Sequence, residues 1–589
     1  EPVGIEHQAM FAFTAKWAAT PERQASKNWL DWNRGMPELN AWREYVRTMA
    51  DRYRGRIRFW EVWNEPDLGG FNQMSLEEYV QLQKATYEEL AKAVPEAIVM
   101  TGGFATMTDH PGKNSPTFHR DYLKLAKGAF KVHAYHEHGS FQQFAQVVDE
   151  KFLPMRRETG TEVPWYANET AIHSLNGAER NQAITLFKKL LFAWSRGSIG
   201  YTWYDLRNDG YDPVDGEHNY GMVTNDFQPK PVYSAYNMLA GLYRNMKYIR
   251  QYDLGANLWA FEFSDGADTL IPAWDESGFG SSLTLVVKSN ASAASTVDLM
   301  GNEKPQQLLD GMALLTLSPM PETLKLTGAA SAEIAGRLLE VSAGGVVIPG
   351  HPLRFKVKVF NPLSSDRTFR LALEKFPKSF RPLAPSHEVQ VPAGKTAEVE
   401  FELEVGNDFK ANYGSSESLL VAYTLDGTPW KGNLVVPVNA AVAVPAGDNF
   451  NRKPDFVLND RSQVVSITAA DPALNHRVWR DANDLSAKIF LGEANGSFRL
   501  RADVTDDRHS QPFDGFNVWK GDNIQFAFQL PGQTGHWEIG LSRLDSGKPE
   551  VIVFQTPTGF DPAAVAKACR LVTTREGNVT GYDFTLPGN

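Results

Sequence analysis

Cysteine is almost absent from this chain: Cys569 stands alone in 589 residues, so no internal disulfide can form and stability must come from buried cores. Long hydrophobic runs are missing too. No stretch of eighteen apolar residues occurs, which excludes a transmembrane helix. Basic clusters are also lacking, since the formal net charge is -11 and Lys and Arg are scattered; nucleic acid and anionic membranes are not expected as partners. The sequence starts at Glu1 in mid-pattern, without Met and without a signal segment. What is present, 42% hydrophobic and 22% charged residues, is the balance of several globular domains. Aromatics reach 12%, with 15 Trp, an excess that suits stacking on flat apolar faces, although most of these rings are expected to fill cores.

Along the chain, the first part alternates strand-like and helix-like segments in the manner of βα units. Strands are predicted at 9–14, 57–65, 97–103, 130–136, 163–169 and 199–205, and amphipathic helices at 37–53, 75–94 and 178–197, with Pro37 and Ser75 at helix starts. From Tyr248 the helical period gives way to short alternating strands with Gly, Pro, Asn and Asp turns. The Ala- and Gly-rich passage "TGAASAEIAG" (327–336) reads as a linker or a loose edge, and "PAGDNFNRKPD" (445–455) introduces a last β unit. No internal repeat is visible. The predicted division is a βα domain at 1–247, a β-sandwich at 248–326, an immunoglobulin-like sandwich at 337–444 and a final sandwich at 445–589.

Chemistry is expected where strands end in carboxylates. "FWEVWNEPD" (59–67) is a buried strand closed by Pro66, which places Glu65 at its carboxyl end, and "VPWYANET" ends another strand at Asn168 and Glu169. Two carboxylates presented from strands three apart can face each other across a pocket, as glycosidic bond cleavage requires. Glu61, in strand phase with Glu65, is read as a deeper structural carboxylate paired with an Arg. The cluster "HAYHEHG" (133–139) invites a metal because His133, His136 and His138 are close together, but strand alternation sends His133 and His136 to opposite faces, which spoils a shared coordination sphere.

The run "WREYVRTMADRYRGRIRFWEVWNEPD", preceded by "FTAKWAA" and followed by a strand-terminal Glu, resembles the retaining glycoside hydrolases of clan A, and among them glycoside hydrolase family 39 and its relatives, over roughly 9–326. The resemblance implies a (β/α)8 TIM barrel followed by all-β sandwich domains, with Glu65 as general acid/base and Glu169 as nucleophile. It further implies Asn64 on the sugar 2-hydroxyl, His133 and Tyr135 lining the site, Trp203 as the platform under the sugar and Trp17 as a wall. No catalytic cofactor is implied. A polysaccharide or oligosaccharide substrate and a secreted or periplasmic, bacterial-type location are. Counted against the barrel, the first two βα units precede the first predicted strand, so the chain reads as a fragment and the site Arg of strand two cannot be named.

The last unit carries "VTDD" (504–507) and "WKGD" (519–522) and resembles carbohydrate-binding module family 9. That likeness makes Trp479 and Trp519 sugar-stacking candidates, with core or turn packing as the alternative. Asp506 and Asp507 are the expected ligands of a structural calcium ion. Two rival functions stand beside the glycosidase: a carbohydrate-binding or scaffold protein with an inactive barrel, and a metal-dependent enzyme using the His cluster.

Overall fold

The structure is a computed structural model that describes residues 6–107, 117–277, 283–343, 346–407, 409, 417–440, 444–460, 463, 479–528, 536–557 and 559–588. By its backbone packing the chain divides into two units, one of residues 1–345, 352–406 and 412–439, the other of 346–351, 407–411 and 440–589.

The first unit opens with six parallel strands: β1 (Gln8–Phe11), β2 (Phe59–Val62), β3 (Ile98–Met100), β4 (His133–His138), β5 (Trp165–Ala171) and β6 (Ser198–Trp203). β1 pairs with β2 and β2 with β3, β4 with β5 and β5 with β6, all parallel, and bridges Met100–Val132 and Phe104–Tyr135 join the two halves in chain order. Nine helices, among the described residues, lie in the connections: α1 (Pro21–Gln24), α2 (Trp29–Asn33), α3 (Leu39–Arg52), α4 (Leu76–Ala93), α5 (Phe118–Leu125), α6 (Phe141–Val147), α7 (Leu153–Glu158), α8 (Glu179–Ser195) and α9 (Pro231–Leu242). The three helices expected from periodicity are α3, α4 and α8, and all six expected strands are present.

Alternation sorts the strand residues into two layers. Phe11, Trp60 and Val62 point outward into the helical layer, with Phe11 stacked on Trp60 at 5.0 Å and edge-on to Trp42 of α3 at 6.3 Å. Met100, Val132 and Ala134 form a separate inner cluster with Phe59, Ile98 and Tyr166, so the strands curl around a packed interior. α4 starts with a reciprocal cap: Ser75 Oγ accepts from Glu78 N at 3.2 Å, while Ser75 N donates to Glu78 Oε2 at 2.8 Å. Ser75→Ala is expected to cost about 1 kcal/mol, read as a lower denaturation midpoint; an unchanged midpoint would show that the Arg23–Glu78 ion pair alone holds this end of the helix.

β7 (Lys247–Gln251), β8 (Leu258–Ser264), β9 (Thr269–Asp275), β10 (Leu283–Lys288), β11 (Ala293–Val297), β12 (Glu303–Gln306), β13 (Met312–Leu317) and β14 (Glu322–Thr327) follow. One sheet has the order β12-β11-β14-β9-β8-β7. Its Trp259 and Trp274 meet Phe141 of α6, each at 5.3 Å, which seats the sheet on the helical layer. The passage expected as a linker is built into the structure. Ala329 and Ala332 are buried, and β15 (Glu333–Ala343) pairs with β10 and then with the strand 353–360 in one continuous sheet. Small residues are needed there because the backbone passes close to side chains: a Cβ on Gly336 would lie 3.2 Å from the Phe360 ring. The strand 353–360 pairs with 396–405, and Phe355 stacks on Phe401 at 5.1 Å; the strands 367–375, 386–391, 417–425 and 431–440 form the facing sheet.

In the second unit, an antiparallel sheet of 456–458, 485–494, 497–506, 579–586 and 570–576 and a second sheet of 523–528, 537–543 and 549–555 share one core. Leu500, Tyr582 and Phe584 of the first sheet meet Ile539, Leu541 and Val553 of the second, the packing of a β-sandwich.

Candidate active site

The chain after β2 does not run straight to Glu65. β2 ends at Val62, and Trp63 and Glu65 adopt left-handed backbone angles, φ 76° and 43°. Such angles cost a non-glycine residue roughly 1–3 kcal/mol each and survive only where surrounding contacts impose them. Trp63 N bonds Phe11 O at 3.0 Å, Glu65 N bonds Gly103 O at 3.1 Å, and the Trp63 indole donates to Phe71 O at 2.7 Å. Asp67 then accepts from Ala105 N and Thr106 N at 3.1 and 2.9 Å, tying this loop to the one after β3; burial raises the Asp67 carboxyl to about 6.

β5 presents Glu169 by a different device. Opposite β4, the register steps from Ala134–Tyr166 to His136–Glu169, so β5 carries one extra residue. This bulge lets Asn168 and Glu169 both reach the interior, where strict alternation would turn one away. Asn168 Nδ2 donates to Glu61 Oε1 at 2.9 Å, and Lys189 of α8 holds the ends of β4 and β5 through Glu137 O and Ala171 O at 3.0 and 3.4 Å.

Between the two carboxylates stands His136. Its Nδ1 lies 3.1 Å from Glu65 Oε1 and 3.7 Å from Glu169 Oε2, and its Nε2 lies 3.8 Å from Glu61 Oε1. One oxygen of Glu65 and one of Glu169 come within 4.8 Å of each other. His138 Nε2 meets Glu169 Oε1 at 3.1 Å. Side-chain exposure rises from 1% at His136 through 10% at Glu65 and 24% at Glu169 to 32% at His138, so the cluster opens to solvent on the Glu169 side.

The electrostatics separate the groups. Burial pushes the Glu169 carboxyl up, but the bond to His138 and the charges of His136 and His138 outweigh it, and its pKa falls below the ordinary value. For His136, burial favours the neutral ring, yet Glu65, Glu169 and Glu61 together raise its pKa. Glu61 is fully buried and its pKa is raised by desolvation. Among the described residues no Arg pairs with Glu61, contrary to the expectation; Gly103 N, Asn168 Nδ2 and Gln8 Nε2 donate to it at 2.7, 2.9 and 2.6 Å.

The other expected site residues divide. Asn64 is half-buried next to Glu65, and its side chain makes no hydrogen bond among the described residues. His133 and Tyr135 do not line the site. They sit on the outward phase of β4, because Val132, Ala134 and His136 occupy the inward one. His133 Nδ1 accepts from Arg156 Nη1 at 2.9 Å, which leaves its Nε2–H to donate to His119 Nε2 at 2.9 Å; burial holds His119 down at about 3 and His133 well below its usual range. Tyr135 donates to Glu137 Oε2 at 2.8 Å and stacks on Phe152 at 4.5 Å. Trp203 is enclosed, its Nε1 donating to Tyr220 O at 3.1 Å, so it offers no open platform. Trp17 is 76% exposed on the turn after β1, outside the carboxylate cluster. The rings that do reach the cluster are Tyr204 and Tyr220, 5.9 and 5.6 Å from His138, both from the long connection after β6. His136 and His138, which the sequence offered only as part of a metal-inviting cluster with His133, are the imidazoles that stand at the carboxylates. Their signal was the "HEH" spacing, which puts two imidazoles on one strand face.

In the second unit, Asp506 and Asp507 part company. Asp507 is paired with Arg480 at 2.5 Å, whereas Asp506 gathers with His509 and Asp522. An imidazole and two carboxylates do not make the all-oxygen shell that calcium takes, so these residues do not fit the expected ion. Trp479 is tied down by its Nε1 donating to Leu485 O at 2.8 Å; Trp519 is 58% exposed, with Lys520 Nζ 5.4 Å above its ring.

The chain's structural neighbours are glycoside hydrolases. It is similar to a family 39 glycoside hydrolase from Bacteroides cellulosilyticus WH2, at 22% identity and a TM-score of 0.42 over 55% of this chain and 68% of that one. A monomeric beta-xylosidase from Caulobacter crescentus CB15 matches at 14% identity and a TM-score of 0.38 over 55% and 81%. A family 44 xyloglucanase from Paenibacillus polymyxa matches at 12% and 0.35 over 49% and 70%. No family model and no curated protein matches the chain.

Proposed function

We propose that this chain is a retaining glycoside hydrolase acting on polysaccharides or oligosaccharides, with the six parallel strands forming the main part of a (β/α)8 barrel. The observation that carries the reading is the carboxylate pair: Glu65, in the turn after β2, and Glu169, near the carboxyl end of β5, come from different strands and bring oxygens within 4.8 Å of each other. Retaining pairs stand about 5–5.5 Å apart and inverting pairs about 6.5–9.5 Å, the latter leaving room for a water; the close approach of the nearest oxygens is compatible with the former. Glu169 attacks the anomeric carbon and forms a glycosyl-enzyme bond while Glu65 donates its proton to the departing oxygen. In the second half Glu65 takes a proton from water, which displaces Glu169. His138 keeps Glu169 ionised, and in this reading Asn64 takes the sugar 2-hydroxyl.

The test is the anomer released first from an aryl glycoside, followed by proton NMR before mutarotation. Retained configuration is expected; an inverted first product would end the double-displacement reading. A second reading has its own support, since Glu65, His136 and Glu169 can each offer one donor atom to an ion. Under the glycosidase reading, prolonged chelation leaves kcat unchanged; loss on chelation and recovery with added metal would favour the second.

A pH dependence follows from the direction at Glu169. A nucleophile with a lowered pKa stays charged on acidification until pH falls below the ordinary Glu value of about 4.3, so the acid limb of kcat/KM is expected below that point. His138→Phe removes the bond that depresses it, and the limb should move up. A limb that stays in place would take His138 out of this role.

A further inference from the structure

At the end of strand 497–506, three side chains from two separate segments turn their donor atoms toward one point. Asp506 is the last residue of that strand, His509 follows it, and Asp522 stands immediately before strand 523–528 of the facing sheet. One donor atom from each comes within 4.8 Å of the others. His509 Nδ1 lies 3.3 Å from Asp522 Oδ2, and the imidazole is only 8% exposed. Asp506 is buried, while Asp522 keeps partial contact with solvent.

The other ring nitrogen decides what this arrangement can hold. His509 Nε2 lies 2.7 Å from Arg543 O, a carbonyl that can only accept, so Nε2 carries the hydrogen. In the neutral ring, Nδ1 is then a lone pair facing a carboxylate oxygen, and two acceptors so placed repel unless a proton or a cation lies between them. A proton on Nδ1 answers only part of the charge, because two carboxylates share the point: burial and the neighbouring Asp506 together raise the Asp522 pKa. No Lys or Arg forms an ion pair with either carboxylate among the described residues. Arg575 reaches this strand end, but its guanidinium is engaged by the Thr580 hydroxyl and the Asp506 carbonyl at 2.7 and 3.0 Å. Both carboxylates are held in place by backbone, Arg508 N donating to Asp506 Oδ1 at 2.9 Å and Ser510 N to Asp522 Oδ2.

The dimensions and the donors choose the ion. Two ligands about 2.0–2.1 Å from a tetrahedral centre stand about 3.3–3.4 Å apart, which is the separation of His509 and Asp522. An imidazole whose second N–H is fixed on a backbone carbonyl, joined by two carboxylate oxygens, is a donor set for a first-row transition ion rather than for calcium. We propose that Asp506, His509 and Asp522 form a zinc site, with solvent in the fourth position, that clips the two sheets of the C-terminal sandwich together. The inference is independent of the glycosidase reading, since none of its residues belongs to the first unit.

The test uses the full chain and reads metal binding, not turnover. The protein is stripped with a chelator, returned to chelator-free buffer and titrated with zinc chloride, with bound metal counted by atomic emission and unfolding followed on heating. Glu65, His136 and Glu169 can also offer donors to an ion, so the titration is repeated in Glu169→Gln and in His509→Gln. The parent and Glu169→Gln are both expected to bind an equivalent of zinc with a dissociation constant on the order of micromolar or tighter, and zinc should raise their unfolding midpoint. His509→Gln and Asp522→Asn should each weaken that equivalent at least about tenfold and lose the zinc-dependent rise. Asp522→Asn keeps an oxygen to accept from Ser510, so its effect reads the ligand charge and not the turn. Cobalt bound in place of zinc should show the visible absorption of a tetrahedral ion in the parent and not in His509→Gln. A parent that binds no zinc overturns the proposal, as does binding that survives both His509→Gln and Asp522→Asn, or calcium that displaces the zinc at equal concentration. Zinc lost in Glu169→Gln but kept in His509→Gln would assign the ion to the barrel carboxylates and overturn it as well.

Discussion

Replacing Glu169 by Gly is expected to lower kcat on aryl glycosides by at least about a thousandfold, and azide is expected to restore much of it. The reason lies in the contacts of the carboxylate. Glu169 is held from both sides by imidazoles, His138 at 3.1 Å and His136 at 3.7 Å, which stabilise it as an anion and aim it at the space before Glu65. Shortening the side chain leaves a small pocket beside two protonatable rings, suited to a monovalent anion. Azide bound there attacks the anomeric carbon from the nucleophile's side, so its glycosyl azide should have inverted configuration. The same treatment of Glu65→Ala should give a retained azide, because the anion then intercepts an enzyme-linked sugar. Exchanged stereochemistries would reverse the two roles, and an undiminished kcat in Glu169→Gly would remove the pair from the chemistry.

Gly103→Ala is expected to be nearly as severe although it touches no substrate. A Cβ at this position would stand 1.9 Å from His136 Nε2 and 2.2 Å from Cδ2, so the ring must leave its place. The displacement breaks the 3.1 Å contact with Glu65 and disturbs Glu61, whose Oε1 accepts from Gly103 N at 2.7 Å. An ångström of misplacement at reacting groups costs on the order of a hundredfold, which sets the expected loss in kcat/KM. Stability should fall as well, since a buried ring is forced against its neighbours. A double variant separates the effects: Gly103→Ala with His136→Ala should regain stability without regaining activity. If Gly103→Ala alone keeps more than a third of the parent's kcat/KM, His136 does not need its observed position.

The elements were legible in the sequence because each obeys a local rule. Aromatic and β-branched runs closed by Pro66 or by turn residues marked β2 and β5, and the 3.6-residue period with Ser75 and Glu78 marked α4. The phase of β4 was not legible. "HAYHEHG" offers His on both faces, and only packing decides which face is inside: Val132 and Ala134 are small enough for the crowded interior, while His133 and Tyr135 find Arg156, His119 and Phe152 in the helical layer. The linker reading at 327–336 failed for a related reason, because Ala and Gly mark a loose segment and a tightly packed strand equally well.

By itself, then, the sequence determined that Glu65 and Glu169 lie toward the carboxyl ends of two strand segments, that an α/β part precedes β-sandwiches, and that neither disulfides nor a basic face are in use, since these follow from residue type and spacing alone. Only the tertiary structure decided which residues surround those carboxylates. The bulge that turns Glu169 inward, the left-handed turn that carries Glu65 and the glycine that makes room for His136 all arise from contacts between segments distant in the chain, where register and close approach are set by packing.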